Sequence, residues 1–252
     1  MLHTTRVLIA ILVVASLGAC SQGDSSLTTS DSQRALLGGP SWQAMNSGTS
    51  ELLWSVWSAK EEVIAVGTSG TADHLKNATW GTKPSGTDGS LCDVWMNIDG
   101  SALAVGVGGV ILRYNGNAWS AMNSHTSNDL FDVFGFQGGR AFAVGANGTV
   151  LALNGSTWSA VDVGPPVNYF GVWGSSPDSI YAVGVGGTIV RSGGGDWTFM
   201  DSPTPNNLSS VFGFSSRNVY AVGDAGTIAH FDGSSWTTMD SGSSVNLYDV
   251  HG

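Results

Sequence analysis

A beat of 38–39 residues, kept by two independent markers, predicts an all-β chain folded as a β-propeller of four-stranded antiparallel blades. The first marker is the valine opening each unit: Val56, Val94, Val133, Val172, Val211 and Val250, at spacings of 38, 39, 39, 39 and 39. The second is the closing tryptophan, Trp42, Trp80, Trp119, Trp158, Trp197 and Trp236, which stays in phase with the valines. A third observation is negative: helix-period patterning is missing throughout the repeats.

Each period parses into four short strands. The first resembles "LFDVFG", alternating bulky and small residues. The second carries Ala-Val-Gly, at 65–67, 104–106, 143–145, 182–184 and 221–223. A tight turn then ends on Gly70, Gly109, Gly148, Gly187 or Gly226, where positive φ is cheap only for glycine. The third strand is of the "TIVRS" kind, and a turn such as "NGNA" or "DGSS" leads to the fourth, which holds the tryptophan. One such sheet cannot cover both its faces, so neighbours must stack and the ring must close.

The ends carry partial units. Trp42, in "GGPSWQAMNSG", reads as a fourth strand without its blade, and "NLYDVHG" at 246–252 as a first strand without the rest. The expected architecture is about five repeats plus partial blade elements at both ends, an incomplete ring of six or seven blades. A closed five-bladed ring is the rival.

Before the repeats, "MLHTTRVLIAILVVASLGAC" has a short n-region with Arg6, an apolar run too short to span a bilayer, and small residues before Cys20. That is the layout of a secretory signal. Its ending, Leu17-Gly18-Ala19-Cys20, resembles the lipobox of bacterial lipoproteins. The resemblance implies cleavage before Cys20, a thioether-linked diacylglycerol on its sulfur and acylation of the new amino terminus. Each buried methylene contributes about 0.8 kcal/mol, so several chains anchor firmly. Ser21 follows the cysteine, which in a Gram-negative host implies sorting to the outer membrane. The expected organisation is a signal peptide at 1–19, a flexible polar tether at 20–38 and the repeat domain at 39–252. With Cys20 assigned to lipid, Cys92 is expected to form no bridge and to serve packing.

Composition narrows the function. The chain has 19 acidic against 9 basic residues, a net charge of −10, and no basic stretch, so nucleic acid is not an expected partner. His74, His125, His230 and His251 fall at four different repeat positions with no ligand-like spacing, so no metal site is expected. The glycine groups follow no phosphate-binding spacing, no cofactor is expected, and no catalytic residues are assigned.

The pattern L-x-D-V-x-G … A-V-G-x-x-G-T-I … D-G-x-x-W resembles the repeats of photosystem II assembly-factor-type propellers. It also resembles the Asp-box, or bacterial neuraminidase repeat, as does the same unit in bacterial lipoproteins. The likeness covers residues 39–252. "FDGSSW" at 231–236 keeps the box Asp and Gly, "YNGNAW" and "LNGSTW" substitute Asn, and "SGGGDW" and "LKNATW" lose more. The resemblance implies a propeller whose box stabilises a turn and does no chemistry. A sialidase would need an arginine cluster, whereas Arg113, Arg140, Arg191 and Arg217 are spread over separate blades.

The expectation is therefore a membrane-anchored, noncatalytic propeller, a binding or assembly scaffold in the cell envelope, with a protein or glycan partner. The address is the outer membrane or cell surface of a Gram-negative bacterium. The loops before each first strand, such as "MNSHTSND", "VDVGPPVN" and "MDSPTPNN", offer Asn, Asp and Ser beside aromatics. They motivate an alternative, a multivalent lectin-like propeller. A second alternative is a polysaccharide-active enzyme, for which Lys60, Glu61 and Glu62 are the faint candidates.

Overall fold

The computed structural model describes residues 44–164 and 166–252. The signal, the tether, Cys20, Trp42 and Pro165 lie outside the described residues. Among the described residues the strands form five antiparallel four-stranded sheets, each in sequential order. Blade 1 comprises Leu53–Ala59 (β1), Glu62–Gly67 (β2), Ala72–Lys76 (β3) and Thr79–Thr82 (β4). Blade 2 comprises Leu91–Met96 (β5), Ala102–Gly106 (β6), Ile111–Tyr114 (β7) and Trp119–Met122 (β8). Blade 3 comprises Leu130–Gly135 (β9), Ala141–Gly145 (β10), Val150–Asn154 (β11) and Thr157–Ala160 (β12). Blade 4 comprises Tyr169–Ser176 (β13), Ser179–Gly184 (β14), Ile189–Gly193 (β15) and Trp197–Phe199 (β16). Blade 5 comprises Leu208–Ser215 (β17), Asn218–Gly223 (β18), Ile228–Phe231 (β19) and Trp236–Met239 (β20). Among the described residues the only helical pieces are single 3-10 turns between each second and third strand.

The core lies between blades. One cluster joins Ile64, Val66 and Ala72 of blade 1 to Val94, Ala104, Leu112 and Trp119 of blade 2. The same arrangement recurs between blades 2 and 3, with Leu103, Val105 and Ile111 against Val133, Leu151 and Trp158. It recurs again between blades 3 and 4 and between 4 and 5. At these four junctions an Ala-Val-Gly strand covers the fourth-strand tryptophan of the following blade; Trp119, Trp158 and Trp236 are buried, Trp158 being 1% exposed, and Trp197 is partly buried.

The first strands stand innermost and adjoin in turn, β1 to β5 to β9 to β13 to β17. Residues 246–252 take a sixth inner position. The Leu247 amide donates to the Gly223 carbonyl at 2.9 Å, and the Val250 amide to Ser210 Oγ at 3.4 Å. The His251 ring sits 4.8 Å from Phe212 of blade 5 and 5.2 Å from Trp57 of blade 1. This segment therefore lies between the inner strands of blades 5 and 1. Cys92, on β5, is not a free cysteine.

Two glycines per blade are fixed by close approach. A Cβ on Gly145 would stand 2.0 Å from the Asp129 carbonyl oxygen, where the second strand passes the entry to the first. Gly187, at φ +72°, would place a Cβ 1.9 Å from the carbonyl oxygen of Thr204 in the next blade. Both obstacles are backbone, which cannot rotate away. Gly145→Ala is therefore expected to cost about 3 kcal/mol, the upper end of ordinary overpacking, measured by urea denaturation. A cost under about 1 kcal/mol would contradict this close approach.

Candidate binding surfaces of the propeller

The axis comes first, because the inner strands bring one residue of every repeat together there. Each first strand slips one residue in register against the second, at Trp54, Cys92, Phe131, Phe170 and Ser209. Such bulges re-aim side chains. The residues just before the repeat valines, Ser55, Asp93, Asp132, Gly171, Ser210 and Asp249, form one level of the ring. Ser55 Oγ donates to Asp93 at 2.6 Å and accepts the Val94 amide at 3.3 Å. Asp93 accepts the Val133 amide at 3.0 Å, and Asp132 accepts the Val172 amide at 2.7 Å. Ser210 Oγ donates to Asp249 at 2.7 Å. Each polar side chain thus ties its blade to the next.

This level concentrates negative charge. Burial, then the charge of Asp93 and a hydrogen bond shared with it, push the Asp132 carboxyl well above the ordinary range. Asp249 adds to the rise, and the Val172 amide opposes it. The next level is aromatic. Trp57 and Phe134 lie 6.4 Å apart, Phe134 and Trp173 6.3 Å, and Trp173 and Phe212 5.8 Å, with His251 completing the group. Rings from nonadjacent blades 1 and 3 meet, so this level is a packed plug across the axis.

The loops preceding the first strands are stitched. In four of the five 3-10 turns the middle residue donates its amide to the next blade's loop: Gly108 to Asp129, Asn147 to Asn168, Gly186 to Asn207 and Ala225 to Asn246, at 2.8–3.0 Å. Asn128 and Asn206 donate to Thr149 and Thr227, each at 2.9 Å. The amides and carboxylates that looked available for sugar recognition are thus engaged in joining blades. The turn before the fourth strand is likewise self-contained: Asp232 accepts the Ser234 and Ser235 amides, which hold its carboxyl below the ordinary range. Asn115 does the same for Asn117 and Ala118.

The enzyme candidates do not converge. Glu62 meets buried His74 Nδ1 at 2.8 Å, Lys60 reaches the Asp99 carbonyl at 2.9 Å, and Glu61 is exposed. His74 Nε2 accepts the Trp119 indole N–H at 3.2 Å. Burial holds His74 below its ordinary pKa against the opposing pull of Glu62, so the neutral ring is a packing element between blades 1 and 2. His230 is bonded to Asn218 at 2.8 Å and stacked on Tyr220, and exposed His125 stands apart from both. No group of three metal-ligating side chains occurs among the described residues.

One junction departs from the pattern. Between the outer strands of blades 4 and 5 lies a groove of about 370 Å³, flanked by Arg191, Phe199, Met200, Asp201 and Trp236. The guanidinium of Arg191 lies 5.2 Å from the Tyr181 ring centroid and 6.0 Å from that of Phe231. Its Nε is buried without a hydrogen-bond partner among the described residues. Arg191 was visible in sequence only as one of four scattered arginines.

No known family profile matches the chain, and no curated protein aligns with it. Among solved structures it is similar to one described as YCF48 bound to D1 peptide, at 18% identity and a TM-score of 0.62, covering 77% of this chain and 68% of that one. YCF48 from Cyanidioschyzon merolae aligns at 16% identity and a TM-score of 0.56, over 75% and 67% of the two chains. The WD40 β-propeller domain of Doa1 aligns at 13% identity and a TM-score of 0.68, over 79% and 71%. These likenesses show the fold: the chain is a β-propeller.

The axial carboxylates make stability depend on pH. A carboxyl whose folded pKa is raised favours folding below its ordinary value of 3.8, and loses that contribution as pH rises through the folded value. Asp132→Asn keeps an acceptor for Val172 and gives Asp93 an N–H donor. The variant's melting temperature should equal or exceed the wild type's at pH 8, with their difference shrinking towards pH 4. Parallel pH profiles for the two proteins would exclude this charge effect.

Proposed function

We propose that this protein is a noncatalytic propeller that binds a partner as a scaffold in the bacterial cell envelope, held to the membrane by lipid on Cys20. The single observation carrying the binding reading is the groove between blades 4 and 5, where the repeat is broken by Arg191, whose buried Nε has no hydrogen-bond partner among the described residues. Elsewhere the loop asparagines that a repeated sugar site would use are committed to neighbouring blades. A protein partner is further supported by the similar YCF48 structure, which holds a peptide. The anchor rests on the lipobox resemblance, with 1–19 as signal, 20–38 as tether and 39–252 as the binding domain, at the outer membrane or cell surface.

In-cell crosslinking through a photoreactive residue at position 199, followed by mass spectrometry, tests the scaffold. A reproducible envelope partner that rebinds the purified protein is expected. A purified protein that instead turns over envelope polysaccharide would replace the scaffold with an enzyme.

The two cysteines give the anchor its own test. A Cys20 thioether and a Cys20–Cys92 disulfide exclude one another, so intact mass under nonreducing conditions decides between them. Diacylglycerol mass at the N-terminal peptide, lost with release from the membrane in Cys20→Ser, is expected. An unmodified mature chain with its cysteines bridged would end the lipoprotein reading.

A further inference from the structure

We infer that the groove between blades 4 and 5 binds a carboxylate of an extended peptide, with Arg191 as its anchor. This deepens the scaffold reading and rests on it. Arg191, on β15, faces blade 5 with its guanidinium against the rings of Tyr181 and Phe231. The ion pairs among the described residues are His74–Glu62 and Arg140–Asp178, and Arg191 belongs to neither. A guanidinium partly withdrawn from water, with its buried Nε lacking an acceptor, is costly, and buried charges are normally paired. A planar fork between aromatic faces is suited to a carboxylate, which it can hold through two parallel N–H donors.

The surroundings define the rest of the ligand. Phe199 is 51% exposed and gives the groove an apolar wall. The Trp236 indole N–H meets only Met200 Sδ, at 3.5 Å, and sulfur is a weak acceptor. Hydroxyls of Thr198, Ser202, Ser234 and Ser235 also line the space. Asp201 stands on the same lining without an ion pair to Arg191, so a second negative charge on the ligand is repelled. That favours a single carboxylate over a phosphate dianion. The walls are built from β16 and β20, the outermost strands of their sheets, whose free edges let an extended chain lie alongside.

The site is unique within the ring. The positions equivalent to Arg191 are His74, Arg113, Ala152 and His230, facing Ile64, Leu103, Phe142 and Tyr220 across their sheets. His74 and His230 have partners, Arg113 is exposed, and Ala152 has no charge. One peptide per chain follows.

The test uses hexapeptide pools free of Asp and Glu, with either a free C-terminal carboxylate or an amide, and an amidated pool with one central Glu. Glucuronic acid and inorganic phosphate are run beside them. Binding is followed by intrinsic tryptophan fluorescence and by the indole ¹H–¹⁵N signal of Trp236. At least one carboxylate-bearing pool should bind at least tenfold more tightly than the acid-free amidated pool. Arg191→Gln should abolish that difference and Arg191→Lys should retain part of it, while Arg217→Gln leaves it unchanged. Thermal unfolding checks that the variants fold, and Phe199→Ala gives a second lesion in the groove should Arg191→Gln fail to fold. No preference for the carboxylate pools overturns the proposal, as does phosphate binding with equal strength. Arg191-dependent binding of glucuronic acid alone overturns the peptide in favour of an acidic sugar. A crosslinked partner that binds Arg191→Gln at wild-type strength overturns the groove and leaves the scaffold standing.

Discussion

The inner strand of a blade is a sheet edge with no further strand beside it, and five such edges, with residues 246–252, meet around the axis. Amides that face the axis have no β-partner there, and an unmet buried donor costs about 1–3 kcal/mol. The repeat answers with a side chain: Ser55 receives the amide of Val94, Asp93 that of Val133, Asp132 that of Val172, and Ser210 that of Val250. Each bond crosses from one blade to the next, so satisfying the backbone also fixes the order and spacing of the blades. The L-x-D-V-x-G pattern therefore encodes a junction as well as a strand.

That solution has an electrostatic cost. Carboxylates are strong acceptors, but the ring geometry places Asp132 where the charges of Asp93 and Asp249 act on it. Serine at positions 55 and 210 and glycine at 171 dilute the charge. Glycine at 171 answers a second demand. A Cβ there would stand 3.0 Å from Ser210 Cα, so blades 4 and 5 approach too closely for a longer residue without adjustment. The mixture of Asp, Ser and Gly at one repeat position reflects amide satisfaction, charge repulsion and backbone proximity acting together.

What was legible in the sequence follows from distance along the chain. Strand order, the turn glycines and the blade count rest on contacts within one period, and the in-phase valines and tryptophans expose them. The ring's closure was half legible: "NLYDVHG" read as a lone first strand, and it lies against the inner strands without pairing into a sheet, with His251 between Phe212 and Trp57. The role of the repeated Asp was hidden because its partner lies 40 residues away, in the next repeat. The loop asparagines invited a binding reading for the same reason, since Asn168 accepts from Asn147 only once two blades are packed. Arg191 could not be singled out, because nothing local says whether a guanidinium will find a carboxylate.

Repetition and recognition place opposite demands on such a chain. Every junction needs the same contacts, so polar groups that recur at fixed repeat positions are the ones most fully used by the fold. His74 shows the outcome at one outer position: Glu62 takes one ring nitrogen, Trp119 the other, and nothing remains for a ligand. The equivalent position in blade 4 carries a longer, permanently charged side chain, set against the ring of Tyr181 in its own blade and that of Phe231 in the next. A surface able to select a partner must come from such departures from the repeat. In a chain of net charge −10, a cation without an acid is a conspicuous departure, because carboxylates outnumber basic groups about two to one.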